Sequence, residues 1–279
     1  MRDALGDRMK QYERDVEKNI DGDTPFLVRL DGKNFSKFTK RFKKPFDSNF
    51  NIAMEKTTHD LILKFPITTG YTCSDEITLI FAENNNEEKH IYSGRIQKLT
   101  SILASYCSIR FNFHINEIMN RLKDEYDEKF INLINNYEQI FDARVLVFDK
   151  DKRYEFMNHM IWRAKKDCYR NTTSSFGRFI LGSEHKNKNG KEMIELMKIK
   201  GFDYNTVPIY LKYGVFCKKE LYNLEVTLDG TKTKVTRSRV ISKVCDDIHY
   251  SDEMVQILFN KYWNNEENFY TFEYDFDIN

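Results

Sequence analysis

The chain is poor in the patterns that announce several large protein classes. It has only 4 Pro and 11 Gly in 279 residues, which excludes collagen-like and loop-dominated chains. No uninterrupted apolar run approaches the ~20 residues of a membrane-spanning helix. An excess of charge of one sign is also missing: 44 Lys+Arg against 43 Asp+Glu leave +1. The total therefore announces no nucleic-acid partner and excludes none, because local patches outweigh the sum. The cysteines, Cys73, Cys107, Cys168, Cys217 and Cys245, form no CxxC pair. That speaks against a zinc ribbon or a redox dithiol and reads as free thiols in a reducing compartment. There is no HExxH, no GxSxG and no Walker sequence GxxxxGK[ST]. The opening MRDALGDRMKQYERDVEKN lacks the apolar core of a signal peptide and is too acidic for a transit peptide. The expectation is a soluble, cytoplasmic protein without a membrane partner, a mitochondrial place staying open.

What is present is a chain able to build a large core. Hydrophobic residues make up 41% and aromatics 14%, with 22 Phe and 16 Tyr, and general disorder is excluded by that composition. Leu5, Met9 and Tyr12 mark a short amphipathic helix over 5–18. PFLVRLDG (25–32) reads as a strand stopped by Asp31-Gly32. A basic stretch follows, then a helix capped by Ser48 and running to about Phe65. TTGYTC (68–73) and ITLIFA (77–82) read as an antiparallel hairpin around Ser74-Asp75-Glu76. ENNNEEKH is a polar loop, Ser93 to about Asn120 a long helix, and ARVLVF (143–148) another strand. The order β-α-β-β-α-β is the split βαβ, ferredoxin-like arrangement. The expectation is an α+β protein with this ferredoxin-like unit at 1–150. The remaining 151–279 would be a helical and β-hairpin part, with Asp229-Gly230 as a hairpin turn.

That topology brings Asp31 and Asp75 near each other, with Glu76 adjacent. Carboxylates on neighbouring strand ends repel unless a cation lies between them. Oxygen ligands at a strand end suit Mg²⁺, and two such ions serve nucleotidyl transfer. The same tripeptides are also ordinary turn sequences. Gly32-Lys33-Asn34-Phe35-Ser36 can form an anion-binding nest among Lys37, Lys40, Arg41, Lys43 and Lys44, or a solvated basic loop. Arg95 and Lys98 share a helix face and could clamp phosphates or merely meet solvent. WRAKKDCYRNTTSSFGR interleaves Arg163, Lys165, Lys166, Arg170 and Arg178 with aromatics, a composition suited to RNA or to a surface helix.

VRLDGKNFSKF, KKPFD, TCSDEITLIF, FDARVLVF, WRAKKDC, KYGVF and VTRSRV, in this order, resemble the blocks of the tRNA(His) guanylyltransferase family. LGDRMKQYE looks more like its Thg1-like branch. The resemblance implies a polymerase-palm catalytic domain at 1–150, a part at 151–279 that contributes tRNA binding and oligomer contacts, a homotetramer (a dimer of dimers), and nucleotide addition in the 3′-to-5′ direction at a tRNA 5′ end. A 5′-monophosphate is activated with ATP or GTP before the 3′-OH of an incoming nucleoside triphosphate attacks. By motif, Asp31, the Gly32 carbonyl and Asp75 would hold two Mg²⁺, with Glu76 beside them as a further catalytic residue. Lys33, Asn34, Phe35, Ser36 and Ser74 would contact the nucleotide. Lys44, Arg95 and Lys98, with Arg163, Lys166 and Arg170, would handle phosphates or tRNA. Two departures favour templated repair of truncated tRNA 5′ ends over addition of G to tRNA(His). Tyr169 to Ser175 replace a HINNLYNT-type block, and Ser36 stands where guanylyltransferases often carry His. A non-catalytic RNA-binding module and a cyclic-nucleotide synthase share the element order. The first is disfavoured because no RNP1 run is present.

Overall fold

The structure, a computed structural model, describes residues 3–22, 24–82, 90–228, 231–264 and 266–274. Most of the expected polar loop and the Asp229-Gly230 turn lie outside the described residues. Along the chain come α1 (Ala4–Val16), β1 (Phe26–Gly32), α2 (Phe35–Phe38), α3 (Ser48–Lys64), β2 (Thr69–Cys73), β3 (Glu76–Phe81), α4 (Ile96–Arg121), α5 (Glu128–Asn135) and β4 (Phe141–Val147). The second half adds α6 (Tyr154–Ile161), α7 (Tyr169–Leu181), α8 (Gly190–Ile199), α9 (Ile209–Tyr213), β5 (Val215–Leu228), β6 (Thr231–Lys243) and α10 (Asp252–Phe259). The protein is α+β, and its first half has the β-α-β-β-α-β order.

All strands join one antiparallel sheet in the order β4-β1-β3-β2-β5-β6. β1 and β3 lie side by side at the centre of the split unit, as the topology predicts. β5 pairs onto β2, so the sheet continues from the first half of the chain into the second.

β1, β2 and β3 are buried on both faces, while the edge strand β4 is mostly exposed or half-buried, and residue parity decides which face each side chain joins. Phe26, Val28 and Leu30 enter one core with α3 and α4. There Phe35, Phe38, Phe50, Phe111 and Phe141 meet edge-on or tilted, with centroids 4.9–6.2 Å apart. Leu27 and Ile80 face the other way, onto Phe156, Met160 and Leu258 of α6 and α10. Arg29 and Asp31 share parity with Leu27. The charged end of β1 therefore emerges beneath α6 and the segment that follows it.

Some local readings change. α3 is capped by the Asp47 side chain, which accepts from Asn49 N at 2.9 Å, and not by Ser48. Asp47 wins because it is also fixed by Lys43 N and the Tyr126 hydroxyl, at 3.0 and 2.7 Å. The basic segment after α6 is helical throughout, a π-helical turn, Trp162–Cys168, carrying α6 directly into α7. The free-thiol reading fails for two of the cysteines. Cys73 and Cys168 form a disulfide, their Cα atoms 6.3 Å apart. The 95 residues between them hid this from spacing arguments, and only the docking of α6–α7 on the hairpin brings them together. Cys107, Cys217 and Cys245 are free and buried.

Candidate active site

Asp31 is the next-to-last residue of β1, and its neighbours in register are Glu76 on β3 and Asp142 on β4. Directly opposed residues of antiparallel strands point to the same face, so three carboxylates form a row across the sheet. One pair of residues back, Arg29 lies opposite Arg144 and Thr78. Arg29 Nη2 donates to Asp31 Oδ2 at 2.6 Å and to Glu76 Oε1 at 2.7 Å. Arg144 Nε lies 3.4 Å from Asp142 Oδ1. The acids thus have a row of arginines beside them, without which like charges side by side would destabilise the sheet.

Asp75 completes the group from the hairpin tip. Gly32 N donates to the Asp75 carbonyl at 3.0 Å, which ties the end of β1 to the turn. Ser74 takes a left-handed conformation, φ 54°, that lets the turn close in two residues. Its hydroxyl donates to Asp75 Oδ1 at 3.0 Å. Among the described residues the Asp75 carboxylate has no salt bridge. Burial pushes its pKa up, and the nearby Asp31 charge adds to the rise against the hydrogen bonds that lower it. Arg29 engages one oxygen of Asp31 and leaves Oδ1 without a hydrogen bond among the described residues. Two adjacent, incompletely satisfied carboxylates on a half-buried strand end form a hard-oxygen donor set of the kind that suits Mg²⁺.

Glu76 is differently employed. Besides Arg29 it pairs with Arg163, which is 7% exposed and also bonds Asp167 at 2.7 Å. The π-helical turn is what swings Arg163 inward to reach β3. Arg163 is therefore not presented to RNA, in contrast to the sequence expectation. Burial outweighs its ion pairs and lowers its pKa. His159, one turn earlier, is buried and neutral, burial and then Arg29 holding its pKa at about 4. The Cys73–Cys168 disulfide flanks the same junction, so the hairpin is joined to the π-helical turn twice.

The other expected contacts divide. Lys33, Asn34 and Ser36 are exposed in the turn after β1, and Asn34 is left-handed, φ 61°. Phe35 is not available: its ring is core, 2% exposed, and a Cβ on Gly32 would lie 2.5 Å from it. Ser36, Lys40, Lys44, Ser175 and Arg178 line a cleft of about 490 Å³ between the α2 region and α7. Lys44 and Arg178 lie close enough that the guanidinium, after burial, lowers the lysine pKa. Neither has a salt bridge among the described residues. Ser175 also borders, with Ser74, the adjoining cavity, so the cationic cleft opens toward the carboxylate hairpin. Lys166 and Arg170 are exposed, Arg170 pairing with Asp167.

Arg95 and Lys98 lie elsewhere. Gly94 O accepts from Ile20 N, Lys18 O accepts from Ile96 N, and Arg95 borders a groove with α1. This is the end of the sheet where β1 begins. Five residue steps of strand, Phe26 to Asp31, separate it from Asp31, roughly 17 Å. Sequence reasoning missed Arg29, Asp142 and Arg144. The signal was present in the alternation of RLD and of DAR, which puts each arginine two residues from an acid and on its face.

An antiparallel split βαβ sheet with carboxylates converging at the tips of β1 and of the β2–β3 hairpin, beside a cationic cleft, defines a palm-type nucleotidyltransferase. The model of the tRNAHis guanylyltransferase family matches residues 6–149. An uncharacterized protein, R259, of Acanthamoeba polyphaga mimivirus is 40% identical over 272 residues, covering 94% of this chain and 91% of that protein. The tRNA(His) guanylyltransferase of Debaryomyces hansenii is 27% identical over 275 residues, 92% of this chain and 94% of the relative. A bacterial tRNA(His) guanylyltransferase-like protein solved in complex with ATP superposes with a TM-score of 0.69 at 27% identity, over 86% of this chain and 91% of that one. The chain belongs to the tRNA(His) guanylyltransferase family. Among the described residues no helix is long and apolar enough to cross a membrane.

Proposed function

We propose that this protein is a Mg²⁺-dependent 3′-to-5′ nucleotidyltransferase that restores missing nucleotides at tRNA 5′ ends against a template strand. The observation that carries the reading is the convergence of Asp31 and Asp75, neither carboxylate fully satisfied, at one end of the sheet. Asp31, the Gly32 carbonyl and Asp75 would hold two Mg²⁺, which supply charge neutralisation at the attacking and leaving oxygens. The chain's own groups do the rest. Arg29 fixes the rotamers of Asp31 and Glu76. Ser74 orients Asp75. Glu76 acts with Arg163 as a strut that holds the hairpin under the π-helical turn, a positioning role in place of the catalytic one its motif suggested. Lys33, Asn34 and Ser36 line the nucleotide's approach.

Lys44 and Arg178 form a cationic pair without a salt bridge among the described residues, the more distant Asp47 offsetting it only in part, and the pair suits the triphosphate of the activating ATP or GTP or the tRNA 5′-phosphate. The ATP complex of the bacterial relative supports a nucleotide in this fold. One observation supports repair over addition of G to tRNA(His). Thr172 and Thr173, in the segment replacing the HINNLYNT-type block, are buried and bonded to Leu211 O of α9 and to the Tyr204 hydroxyl, at 2.5 and 3.0 Å, so they serve the chain's own packing. A homotetramer completes the reading.

The test is a 5′-end extension assay with 5′-monophosphorylated tRNA lacking its first nucleotide, beside full-length tRNA(His), with Mg²⁺, ATP and each nucleoside triphosphate. Templated addition to the truncated tRNA alone supports the proposal. Addition of G to full-length tRNA(His) makes the protein a guanylyltransferase proper. A product formed from nucleotides without RNA would sink both.

A further inference from the structure

The N-terminal helix α1 is turned the wrong way round for a helix that serves only its own chain. Not one of its residues is buried. Leu5, Met9, Tyr12 and Val16 are 60%, 45%, 65% and 66% exposed. Their spacing of four, three and four puts all of them on one stripe. On the opposite side, Lys10, Glu13, Arg14 and Glu17 share a polar groove with Asn19 and Arg95 of the body. The helix is thus exposed along its length, with its polar side bordering a groove of its own protein and its apolar stripe facing away from that groove. Thirteen residues make a marginal helix in water unless an apolar face is covered.

The flanks of the stripe identify what covers it. Arg8 and Asp15, seven residues apart, lie on the same flank, and neither has an ion pair among the described residues. With Leu5 and Tyr12 at d positions and Met9 and Val16 at a positions, an antiparallel copy of the same helix stacks Leu5 on Val16 and Met9 on Tyr12 of the other copy, twice by symmetry. The same arrangement sets Arg8 of each helix against Asp15 of the other. It also opposes the two helix dipoles. An isologous two-fold contact requires this kind of self-complementarity. A nucleic-acid strand would meet one Arg and one Asp there, with no net positive charge to hold it.

We propose that α1 docks against α1 of a second copy, antiparallel, about a two-fold axis between Met9 and Tyr12. Four side chains a side fall short of the ~1,200–2,000 Å² total of a stable standard interface. The body surface beside α1 joins the contact, and the helix sets its register. The inference specifies one interface of the assembly proposed above.

The experiment is sedimentation velocity and equilibrium of the full chain across concentration, with far-ultraviolet circular dichroism of each variant. The wild type is expected to self-associate. Met9→Glu is expected to weaken the α1 contact at least tenfold while leaving the fold intact, since no core residue is touched. Arg8→Glu is expected to weaken it in the same direction, and Arg8→Glu with Asp15→Arg to restore it. Failure of the double variant to recover, with Arg8→Glu weak, overturns the antiparallel pairing. An assembly unmoved by Met9→Glu overturns the role of α1 and leaves the homotetramer standing. A wild type that is monomeric at every concentration overturns both.

Discussion

The sheet has two halves made of the same secondary structure and held in opposite ways. β1, β2 and β3 are sandwiched, with burial on both faces along nearly their whole length. β5 and β6 start in the same sheet, where Val215, Phe216 and Cys217 are buried, and then run out as a two-stranded ribbon with Leu221 and Leu224 half exposed. The difference teaches where precise geometry comes from. A carboxylate at the end of a strand clamped between two cores is held in place by dozens of contacts that do not concern it. A ribbon covered on neither face is marginal in isolation and is free to present surface, not to fix atoms.

The largest effect expected at the clamped end is chemical. Asp31→Asn or Asp75→Asn should lower 5′-end extension by roughly a thousandfold or more, because a charge-neutralising centre supplies several kcal/mol to the transition state. Circular dichroism should show an intact fold. Activity within tenfold of the wild type would mean that the carboxylate row is structural.

Next in size is the contrast in packing. Phe111→Ala removes a ring in contact with Phe35, Phe38, Phe50 and Phe141 and should cost about 3–5 kcal/mol in urea unfolding. Leu224→Ala in the ribbon should change stability by less than ~0.5 kcal/mol. Equal costs would show that the ribbon is covered by something outside the chain.

The disulfide joins the clamped hairpin to the C-terminal half across 95 residues. Loop-closure entropy for such a loop corresponds to at most about 4–5 kcal/mol, and engineered cases deliver less. Adding reductant should lower the Tm of the wild type and leave Cys73→Ser unmoved. A reductant effect of the same size in both would show that the cross-link does not form.

The smallest effect sharpens the comparison from within the site. Asp75 has its pKa raised in the fold, so the native state prefers the protonated acid. The ionised carboxylate therefore costs stability at neutral pH, and the cost fades as pH falls below the raised native pKa toward the ordinary aspartate range near 3.9. Without Mg²⁺, Asp75→Asn should melt slightly above the wild type at pH 7, and the two should converge in acid. Mg²⁺ should raise the Tm of the wild type and not of Asp75→Asn. A variant less stable than the wild type at pH 7 would show that the carboxylate is already compensated.

Much of this was legible in the chain. The run PFLVRLDG, the paired strands around Ser74-Asp75-Glu76 and the long apolar period from Ile96 fixed the order β-α-β-β-α-β, and that order alone placed Asp31 near Asp75. The pairing of Glu76 with Arg163 was not legible. It depends on a π-helical turn that no periodicity announces. Nor was the place of Arg95 and Lys98: Arg95 is the extended N-cap of α4 and not part of the helix, so the expected shared helix face is not formed, and both lie toward the far end of β1. The burial of Phe35 escaped for a related reason, since a motif gives the residue and not the direction of its ring.

Local sequence decided the elements, because period and turn chemistry act within a few residues and need no knowledge of the rest. It also supplied the acids themselves and the alternation that puts Arg29 beside Asp31. Only the tertiary structure decided which charges are spent on one another and which are left for a ligand. That sorting depends on distances between residues far apart in the chain: Arg163 reaching Glu76, Cys73 meeting Cys168, and Arg178 crowding Lys44 with no salt bridge to either among the described residues.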